Sequence, residues 1–294
     1  MIRIGIIGSD NSHADAFSSL INIPNEKTGA FEYPDCKVTM IYGTEEARTK
    51  EVAEIGKIET IVSDPSEMIG NVDAVMIVFR HGGLHAQYAK PFLKAGIPVW
   101  LDKPFTISNE EAKELIELSK ETGTILTGGS TCKFCYDILM LKNDVENNYY
   151  IGKMQTATMN FPGTWENEYG GLYFYGAHLV EMACAAFGYD MKSVWATKHN
   201  GDVIAVVKYE NYHVTLNFID GSVHNVCQVI GDQGTIERRL NITLAYRHGL
   251  DEYIKTLKSG VIPVSHDKLY ATVELLNAIV DSVNTGKEVE LKGL

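Results

Sequence analysis

The chain has 294 residues, 45% hydrophobic and 22% charged, an ordinary composition that suffices for two domains with real cores. It carries 26 basic and 38 acidic residues, hence a formal net charge of −12. This balance argues against nucleic-acid or anionic-membrane partners, because both bind basic surfaces. No run of about 18 apolar residues occurs, so no transmembrane helix is predicted.

The N-terminal residues and the cysteines predict a cytoplasmic protein. A strand-like segment begins at Ile2, and the basic region, apolar stretch and cleavage site of a secretory signal are not recognisable. The five cysteines are odd in number and scattered, which suits reduced thiols better than a disulfide framework.

The first part of the chain alternates short apolar runs with amphipathic segments. Most runs are β-branched without alternation, as is typical of parallel strands buried on both faces. The clearest helix begins at Ser108, which forms a capping box with Glu111. Repeated βα units predict an α/β domain with a doubly wound parallel sheet over residues 1–128. Its strands are expected at residues 2–7, 38–42, 60–62, 74–78, 97–101 and 124–127.

The pattern changes after Gly128, and residues 129–294 predict an α+β domain with a mostly antiparallel open sheet. Glu210-Asn211 and Asp220-Gly221 lie between successive strands and predict tight turns that pair them. Strands are expected at residues 153–161, 194–199, 203–209, 213–219 and 223–230, and helices at 136–147, 249–259 and 267–285.

The first strand runs into a candidate phosphate-binding turn, Gly8-Ser9-Asp10-Asn11-Ser12-His13, and a helix follows. In the G-x-G-x-x-G fingerprint, backbone N–H groups and a helix N-terminus bind a pyrophosphate. Only the first glycine is present here. Asp10 would repel a diphosphate, whereas Asn11, Ser12 and His13 could donate hydrogen bonds. The alternative is that Asp10, Asn11 or Ser12 simply caps the helix.

The second strand ends in Gly43-Thr44, without the carboxylate that usually holds the ribose hydroxyls of NAD. Thr44, Arg48 or Lys50 could accept a 2′-phosphate, and Arg48 and Lys50 could instead form a solvated helix face. Phe79 and His81 end another strand near the expected cofactor. The choice between NAD and NADP therefore stays open.

A later strand delivers Asp102-Lys103-Pro104 to its carboxyl end, where open α/β sheets bind ligands. This segment resembles the Glu-Lys-Pro signature of the Gfo/Idh/MocA oxidoreductases, with aspartate in place of glutamate. The flanking segments at residues 84–86, 108–112, 151–153 and 231–237 resemble that family too, so the resemblance covers almost the whole chain. It implies a Rossmann domain in which Asp102 and Lys103 contact the cofactor, and Lys103 is catalytic. The alternative for Lys103 is a surface lysine at a strand end.

The family's second catalytic cluster reads Asp-x-x-x-His, and residues 170–181 correspond to it. His178 matches the histidine, which the resemblance makes the proton donor or acceptor. Phe174 stands in place of the aspartate, so Tyr173 or Tyr175 could supply a hydroxyl instead. Glu181 follows one turn later. The alternative is a satisfied histidine at a helix start.

Three further features complete the expected substrate domain. Lys133 stands where the family commonly has arginine, and Trp165 could line a polyol pocket or pack in a core. Cys132 and Cys135 have the spacing of half a zinc site, but no second pair accompanies them. We therefore expect no metal site and assign the cysteines a structural role.

The resemblance implies an NAD(P)-dependent oxidoreductase that transfers a hydride between nicotinamide and a sugar, polyol or related hydroxy compound. His178 would handle the hydroxyl proton and Lys103 would polarise the developing alkoxide. A homodimer or homotetramer is implied as well. The rival hypothesis is an inactive ligand-binding or regulatory protein on the same scaffold. Three departures favour it: Asp10 and His13 in the phosphate turn, Gly43 at the ribose position and Phe174 in the catalytic cluster.

Overall fold

The computed structural model describes residues 1–147 and 150–294. They form two compact units. The N-terminal unit comprises residues 1–106, 110–129 and 249–266, and the C-terminal unit comprises residues 107–109, 130–248 and 267–294.

The N-terminal unit contains a six-stranded sheet in which every neighbouring pair is parallel, in the order β3-β2-β1-β4-β5-β6. The predicted doubly wound parallel sheet is therefore confirmed. The strand order reverses between β1 and β4, which is where sheets of this type bind ligands. The strands are β1 (Ile2–Ile7), β2 (Cys36–Tyr42), β3 (Thr60–Ile61), β4 (Ala74–Ile77), β5 (Val99–Leu101) and β6 (Leu126–Gly128). The helices are α1 (Ser12–Asn22), α2 (Glu46–Ile55), α3 (His85–Lys94) and α4 (Asn109–Thr122).

Helix α7 (Ala245–Ser259) departs from the expected domain organisation, since most of its residues group with the N-terminal unit. Tyr253 explains the grouping. Its ring lies 5.5 Å from that of Trp100 on β5, and its hydroxyl donates a 2.9 Å hydrogen bond to the carbonyl of Val75 on β4. Both rings are fully buried, so an apolar contact that joins distant parts of the sequence holds α7 on this sheet.

The C-terminal unit is built on a seven-stranded sheet in the order β12-β11-β7-β10-β9-β8-β13. Only the pair β7 and β10 is parallel, so the predicted mostly antiparallel sheet is confirmed. Its strands are β7 (Met154–Pro162), β8 (Ser193–His199), β9 (Asp202–Lys208), β10 (His213–Ile219), β11 (Val226–Gly231), β12 (Thr235–Arg239) and β13 (Val289–Glu290). The helices are α5 (Tyr136–Asn147), α6 (Leu172–Phe187) and α8 (His266–Thr285).

One predicted hairpin is wrong. Glu210-Asn211 does join paired strands, β9 and β10. Asp220-Gly221 was expected to pair β10 with β11, but β11 pairs with β7 and β12 instead. Turn residues act locally, whereas β7 arrives from earlier in the chain and occupies the position between β10 and β11.

Two kinds of feature are absent from residues 1–147 and 150–294. No helix there is long and apolar enough to cross a membrane. Nor does this part of the chain bring together three or more His, Cys, Asp or Glu side chains that could hold a metal ion.

Gly128 should be the least replaceable glycine of the parallel sheet. A Cβ there would lie 1.8 Å from the carbonyl oxygen of Leu101, and its φ is +144°. We expect Gly128→Ala to lower the free energy of unfolding by roughly 3 kcal/mol, through backbone displacement and strain. Gly96 also has a positive φ, +75°, but nothing lies within 4 Å of its Cβ position. Gly96→Ala should therefore cost only about 1 kcal/mol in urea denaturation, and equal losses would contradict the prediction.

Candidate functional site

The turn after β1 requires a glycine at its first position. Gly8 has a φ of +106°, and a Cβ there would lie 2.7 Å from the backbone nitrogen of Phe79. Phe79 is buried, and its ring lies 4.8 Å from that of Tyr88. The backbone of the turn at Gly8 thus packs directly against the backbone of Phe79, just after β4. His81, which follows, accepts a 3.1 Å hydrogen bond at Nδ1 from Gly83 N–H and caps a short 3₁₀ helix.

Asn11 caps helix α1. Its Oδ1 accepts a 3.2 Å hydrogen bond from the backbone N–H of His13, which confirms the capping interpretation for Asn11. The Nδ2 of the same amide is buried and has no hydrogen-bond partner among the described residues. Ser12, the first residue of the helix, is exposed. An unpaired amide donor beside a helix N-terminus is a fitting environment for a phosphate oxygen.

Asp10 connects the turn to the end of β4. Its Oδ2 accepts a 3.1 Å hydrogen bond from Arg80 N–H, while Oδ1 is buried and has no hydrogen-bond partner within residues 1–147 and 150–294. Burial raises the pKa of this carboxyl. The higher pKa reduces the free energy needed to neutralise Asp10 next to an anionic ligand, so its presence is compatible with a diphosphate.

His13 and Asp102, two departures from the expected motifs, contact each other. Nδ1 of His13 lies 2.6 Å from Oδ2 of Asp102, and both side chains are almost fully buried. Burial alone would raise the pKa of Asp102. The charge and hydrogen bond of His13, helped by Lys103 and His85, outweigh burial and hold that pKa below its ordinary value.

Lys103 is only 2% exposed, so its interpretation as a surface lysine is wrong. It follows β5 directly, and the peptide bond between Lys103 and Pro104 is cis. The fully buried His85 braces this segment, since its Nε2 lies 3.0 Å from the carbonyl of Phe79 and its Nδ1 3.3 Å from that of Phe105. Burial lowers the pKa of His85. A nearly inaccessible lysine at the carboxyl end of a parallel strand is typical of a functional position.

The end of β2 has no room for a side chain at position 43. A Cβ on Gly43 would lie 2.0 Å from Oγ of Ser9 and 2.3 Å from Oγ1 of Thr49. These two hydroxyls form a buried 2.9 Å hydrogen bond. The missing ribose-binding carboxylate is therefore a consequence of packing. Thr44 is exposed next to it.

The basic residues of α2 already have acidic partners. Arg48 pairs with Asp15 and with Glu51, and the exposed Lys50 pairs with Glu46. Of the two basic side chains, Lys50 thus fits a solvated helix face.

Four buried residues of the C-terminal unit, Ser130, Lys133, His178 and Glu181, form a connected group that we call the Ser130 network. Oγ of Ser130 lies 2.7 Å from Nδ1 of His178, and the backbone N–H of Ser130 donates a 2.7 Å hydrogen bond to Oε1 of Glu181. Nζ of Lys133 lies 2.6 Å from Oε2 of Glu181. The network brings together three predicted residues, and Ser130 is a fourth that sequence reasoning missed.

Phe174 cannot make the hydrogen bond that the expected aspartate would make to His178. Its ring packs 5.0 Å from that of Tyr169 and 4.8 Å from that of Tyr175. The hydrogen bond to His178 comes instead from Ser130, 48 residues earlier in the chain. No local motif could have indicated this partner, because the contact is made only when α6 packs beside the segment that follows β6.

The remaining candidates lie in different surroundings, and one of them, Tyr175, lies beside His178. Tyr173 donates a 2.8 Å hydrogen bond to Oδ1 of Asn277, and burial raises its pKa to about 12. Tyr175 is exposed, with its ring 6.1 Å from that of His178, so it is the tyrosine beside the histidine. Trp165 packs at the edge of the core beneath Nζ of Lys198, 5.1 Å from the ring centroid. Cys132 and Cys135 are buried in that core as free thiols.

Solved structures share this fold. A probable dehydrogenase from Thermotoga maritima matches with a TM-score of 0.81 over 98% of this chain and 99% of its own, at 22% identity. Scyllo-inositol dehydrogenase from Lactobacillus casei, solved with NAD(H) and scyllo-inositol, gives 0.82 over 99% of both chains, at 16% identity. These likenesses establish the class of fold, a Rossmann domain joined to an α+β domain with an open sheet.

A family model matches the N-terminal part of the chain. Residues 2–130 match the Gfo/Idh/MocA family model, described as an oxidoreductase family with an NAD-binding Rossmann fold. Over residues 2–130, the resemblance to the Gfo/Idh/MocA oxidoreductases drawn from Asp102-Lys103-Pro104 is confirmed.

Curated relatives are similar to this chain over most of its length. The uncharacterized oxidoreductase YhhX of Escherichia coli is 26% identical over 245 residues, which are 74% of this chain and 65% of YhhX. The scyllo-inositol 2-dehydrogenase (NADP(+)) IolU of Bacillus subtilis is 25% identical over 284 residues, 86% of this chain and 82% of its own. IolW, which has the same enzyme name and organism, is 24% identical over 74% of this chain and 60% of its own. The chain thus spans less than two thirds of YhhX and of IolW.

Asp102 should make the stability of the protein depend on pH. Because its pKa is lower in the folded than in the unfolded state, the ionised carboxylate stabilises the fold above about pH 4, and this contribution is lost as the pH falls through the folded-state pKa. The difference in free energy of unfolding between the wild type and Asp102→Asn should therefore shrink as the solution is acidified.

Urea denaturation at neutral pH, and stepwise down to the lowest pH at which the fold persists, measures this difference. Glu26→Gln, an exchange on an exposed loop, is the control for a generic carboxyl loss. A wild-type advantage over Asp102→Asn that stayed constant across the acidic range would refute the prediction.

Proposed function

We propose that this protein is an NAD(P)-dependent dehydrogenase or reductase that acts on the CH–OH group of a sugar, polyol or related hydroxy compound. The observation that carries the proposal is the buried Lys103, set in a family signature at the carboxyl end of β5. Inositols are the first substrates to test, since IolU and IolW are named as scyllo-inositol dehydrogenases.

The cofactor, NAD or NADP, would be held by the turn from Gly8 to His13 and by the neighbouring strand ends. Asn11 and the N-terminus of α1 would bind phosphate, and Gly43 would face the ribose without a side chain. Thr44, Phe79, His81 and Asp102 complete the proposed cofactor contacts. When bound, the nicotinamide would accept or supply a hydride.

His178 and Lys103 have different proposed roles. His178 exchanges the proton of the substrate hydroxyl, because imidazole changes charge near neutral pH. Lys103 stabilises negative charge that develops on the substrate oxygen, as a cation in a water-poor environment does effectively. Lys133, Trp165, Tyr173, Tyr175 and Glu181 are the proposed substrate-side residues. Of these, the two members of the buried Lys133–Glu181 pair act by shaping the surroundings of His178.

A ligand-binding or regulatory role is the second candidate. Phe174 favours it, because a phenyl ring in place of the aspartate removes a usual acidic partner of the histidine. The bond from Ser130 to His178 favours the enzyme instead, since it supplies the histidine with another orienting partner.

We also propose that the protein is cytoplasmic and forms a homodimer or homotetramer. All five cysteines are free thiols in the structure, as a reducing compartment requires. Trp195 on β8 and Ile204 on β9 are exposed on the seven-stranded sheet, and a second copy would cover such apolar side chains.

Cofactor titration separates the two candidate functions. Calorimetry with NADH and NADPH should show binding of at least one, with affinity much reduced in Gly8→Ala, whose Cβ would displace the turn. Gly29→Ala is the matched control, because Gly29 also has a positive φ but nothing lies within 4 Å of its Cβ position. Absence of binding to either cofactor would eliminate the enzyme, and binding without turnover on a sugar and polyol panel would favour the regulatory role.

Lys103→Ala and His178→Ala should each lower turnover by roughly 10²–10⁴-fold on a verified substrate, because each removes a positioned charged or acid–base group. Steady-state kinetics measures the loss, and cofactor calorimetry checks that binding survives. Lys103→Met keeps the volume of the buried side chain, in case the alanine variant fails to fold. The exposed Lys120→Ala is the control. Turnover that matched the wild type in either active-site variant would show the assignment to be wrong.

A further inference from the structure

The hydroxyl of Ser130 contacts the imidazole of His178 in the interior of the C-terminal unit. Oγ and Nδ1 are 2.7 Å apart, and Ser130 has no exposed surface. The rings of Phe161 and Tyr175 lie 5.7 Å and 6.1 Å from the imidazole. The histidine therefore has aromatic neighbours beside it and a hydroxyl at one nitrogen.

A second contact of Oγ bears on which atom donates in the hydrogen bond to His178. The backbone N–H of Cys132 donates to Oγ of Ser130 at 3.2 Å, so the oxygen acts as an acceptor there. The hydroxyl hydrogen of Ser130 is buried and must be paired, and Nδ1 of His178, 2.7 Å from Oγ, is the acceptor within reach. An Nδ1 that accepts a hydrogen bond carries no hydrogen, so the neutral ring carries its hydrogen on Nε2.

The position of Ser130 is itself held by charged groups. Its backbone N–H donates to Oε1 of Glu181, whose Oε2 lies 2.6 Å from Nζ of Lys133. Glu181 and Lys133 are 3% and 2% exposed, and breaking such a buried pair is costly. Since His178 and Glu181 are three residues apart on α6, Ser130 contacts this helix through both its side chain and its backbone.

We propose that Ser130 is a positioning residue that selects the Nε2–H form of neutral His178. Its catalytic consequence rests on the proposed function: the neutral ring offers an N–H donor at Nε2 that stabilises negative charge on an oxygen of the substrate. Uptake of the hydroxyl proton at Nε2 requires the other neutral form, in which the hydrogen lies on Nδ1 and donates to Oγ of Ser130. When the ring is protonated, Nδ1–H donates to Oγ after the hydroxyl turns. A carboxylate could only accept, and would instead keep the hydrogen on Nδ1 of the neutral ring.

Nitrogen NMR of the full chain tests the selected form without any assay of activity. In protein labelled with ¹⁵N-histidine, the signals of His178 are assigned by their absence in His178→Gln. At a pH where the ring is neutral, the wild type and Ser130→Thr should show a pyridine-type Nδ1 and a pyrrole-type Nε2. Ser130→Asp, whose carboxylate only accepts, should reverse the two types. A pyrrole-type Nδ1 in the wild type, or no reversal in folded Ser130→Asp, would overturn the inference.

Ser130→Ala keeps the test decisive if the aspartate variant does not fold. Without the hydroxyl, both nitrogen signals of His178 should move toward the average of two exchanging forms. At saturating substrate kcat should fall roughly tenfold with KM nearly unchanged, the scale of one lost hydrogen bond, and Ser130→Thr should restore it. A variant that only unfolds at lower temperature, with wild-type NMR signals and kcat, would show that Ser130 merely caps the short 3₁₀ helix Thr131–Phe134.

The outcomes also separate this inference from the proposed function. Wild-type turnover in His178→Ala would refute the catalytic role of the histidine, whereas the NMR signals would still report whether Ser130 selects its form. Loss of turnover in His178→Ala, with unchanged kcat and signals in Ser130→Ala, would leave the enzyme standing and refute the role of Ser130.

Discussion

The contact between His13 and Asp102 fixes the geometry around which the N-terminal unit is arranged. A carboxylate with no exposed surface is costly to ionise, so it needs a close partner, and the imidazole 2.6 Å away supplies one. His13 lies in the first turn of α1 and Asp102 directly after β5. Their contact therefore ties the phosphate-type turn to the strand end that carries Lys103.

The C-terminal unit also buries charged groups, and the Ser130 network provides their partners. Lys133 and Glu181 are both buried, and each compensates the charge of the other. Glu181 also accepts the backbone N–H of Ser130, whose hydroxyl contacts His178. The Lys133–Glu181 ion pair is thus connected through Ser130 to His178, the proposed acid–base residue. His178 therefore has an orienting hydrogen bond from Ser130, although Phe174 stands where the resemblance leads one to expect an aspartate.

Much of the fold followed from local patterns. Continuous β-branched runs predicted the parallel strands of the first sheet, because strands covered on both faces have no polar side. The turn at Glu210-Asn211 predicted a real hairpin. The turn at Asp220-Gly221 gave a wrong prediction, that β10 pairs with β11. The edge of β10 where β11 was expected is occupied by β7. The placement of α7 was missed as well, because its reason is the packing of Tyr253 on Trp100.

By itself the sequence determined the two sheet types, the family signature at Asp102-Lys103-Pro104, and which residues are candidates for chemistry. These features depend on residues that are close together in the chain, where spacing carries the information. The tertiary structure alone decided the partners: Asp102 for His13, Ser130 for His178, and Ser9 against Gly43, whose closeness excludes a side chain. Such pairs are far apart in sequence, so local spacing carries no signal for them. Asp102 and Ser130 meet their partners because buried polar groups need partners once the core excludes water, whereas Ser9 and Gly43 meet through close packing.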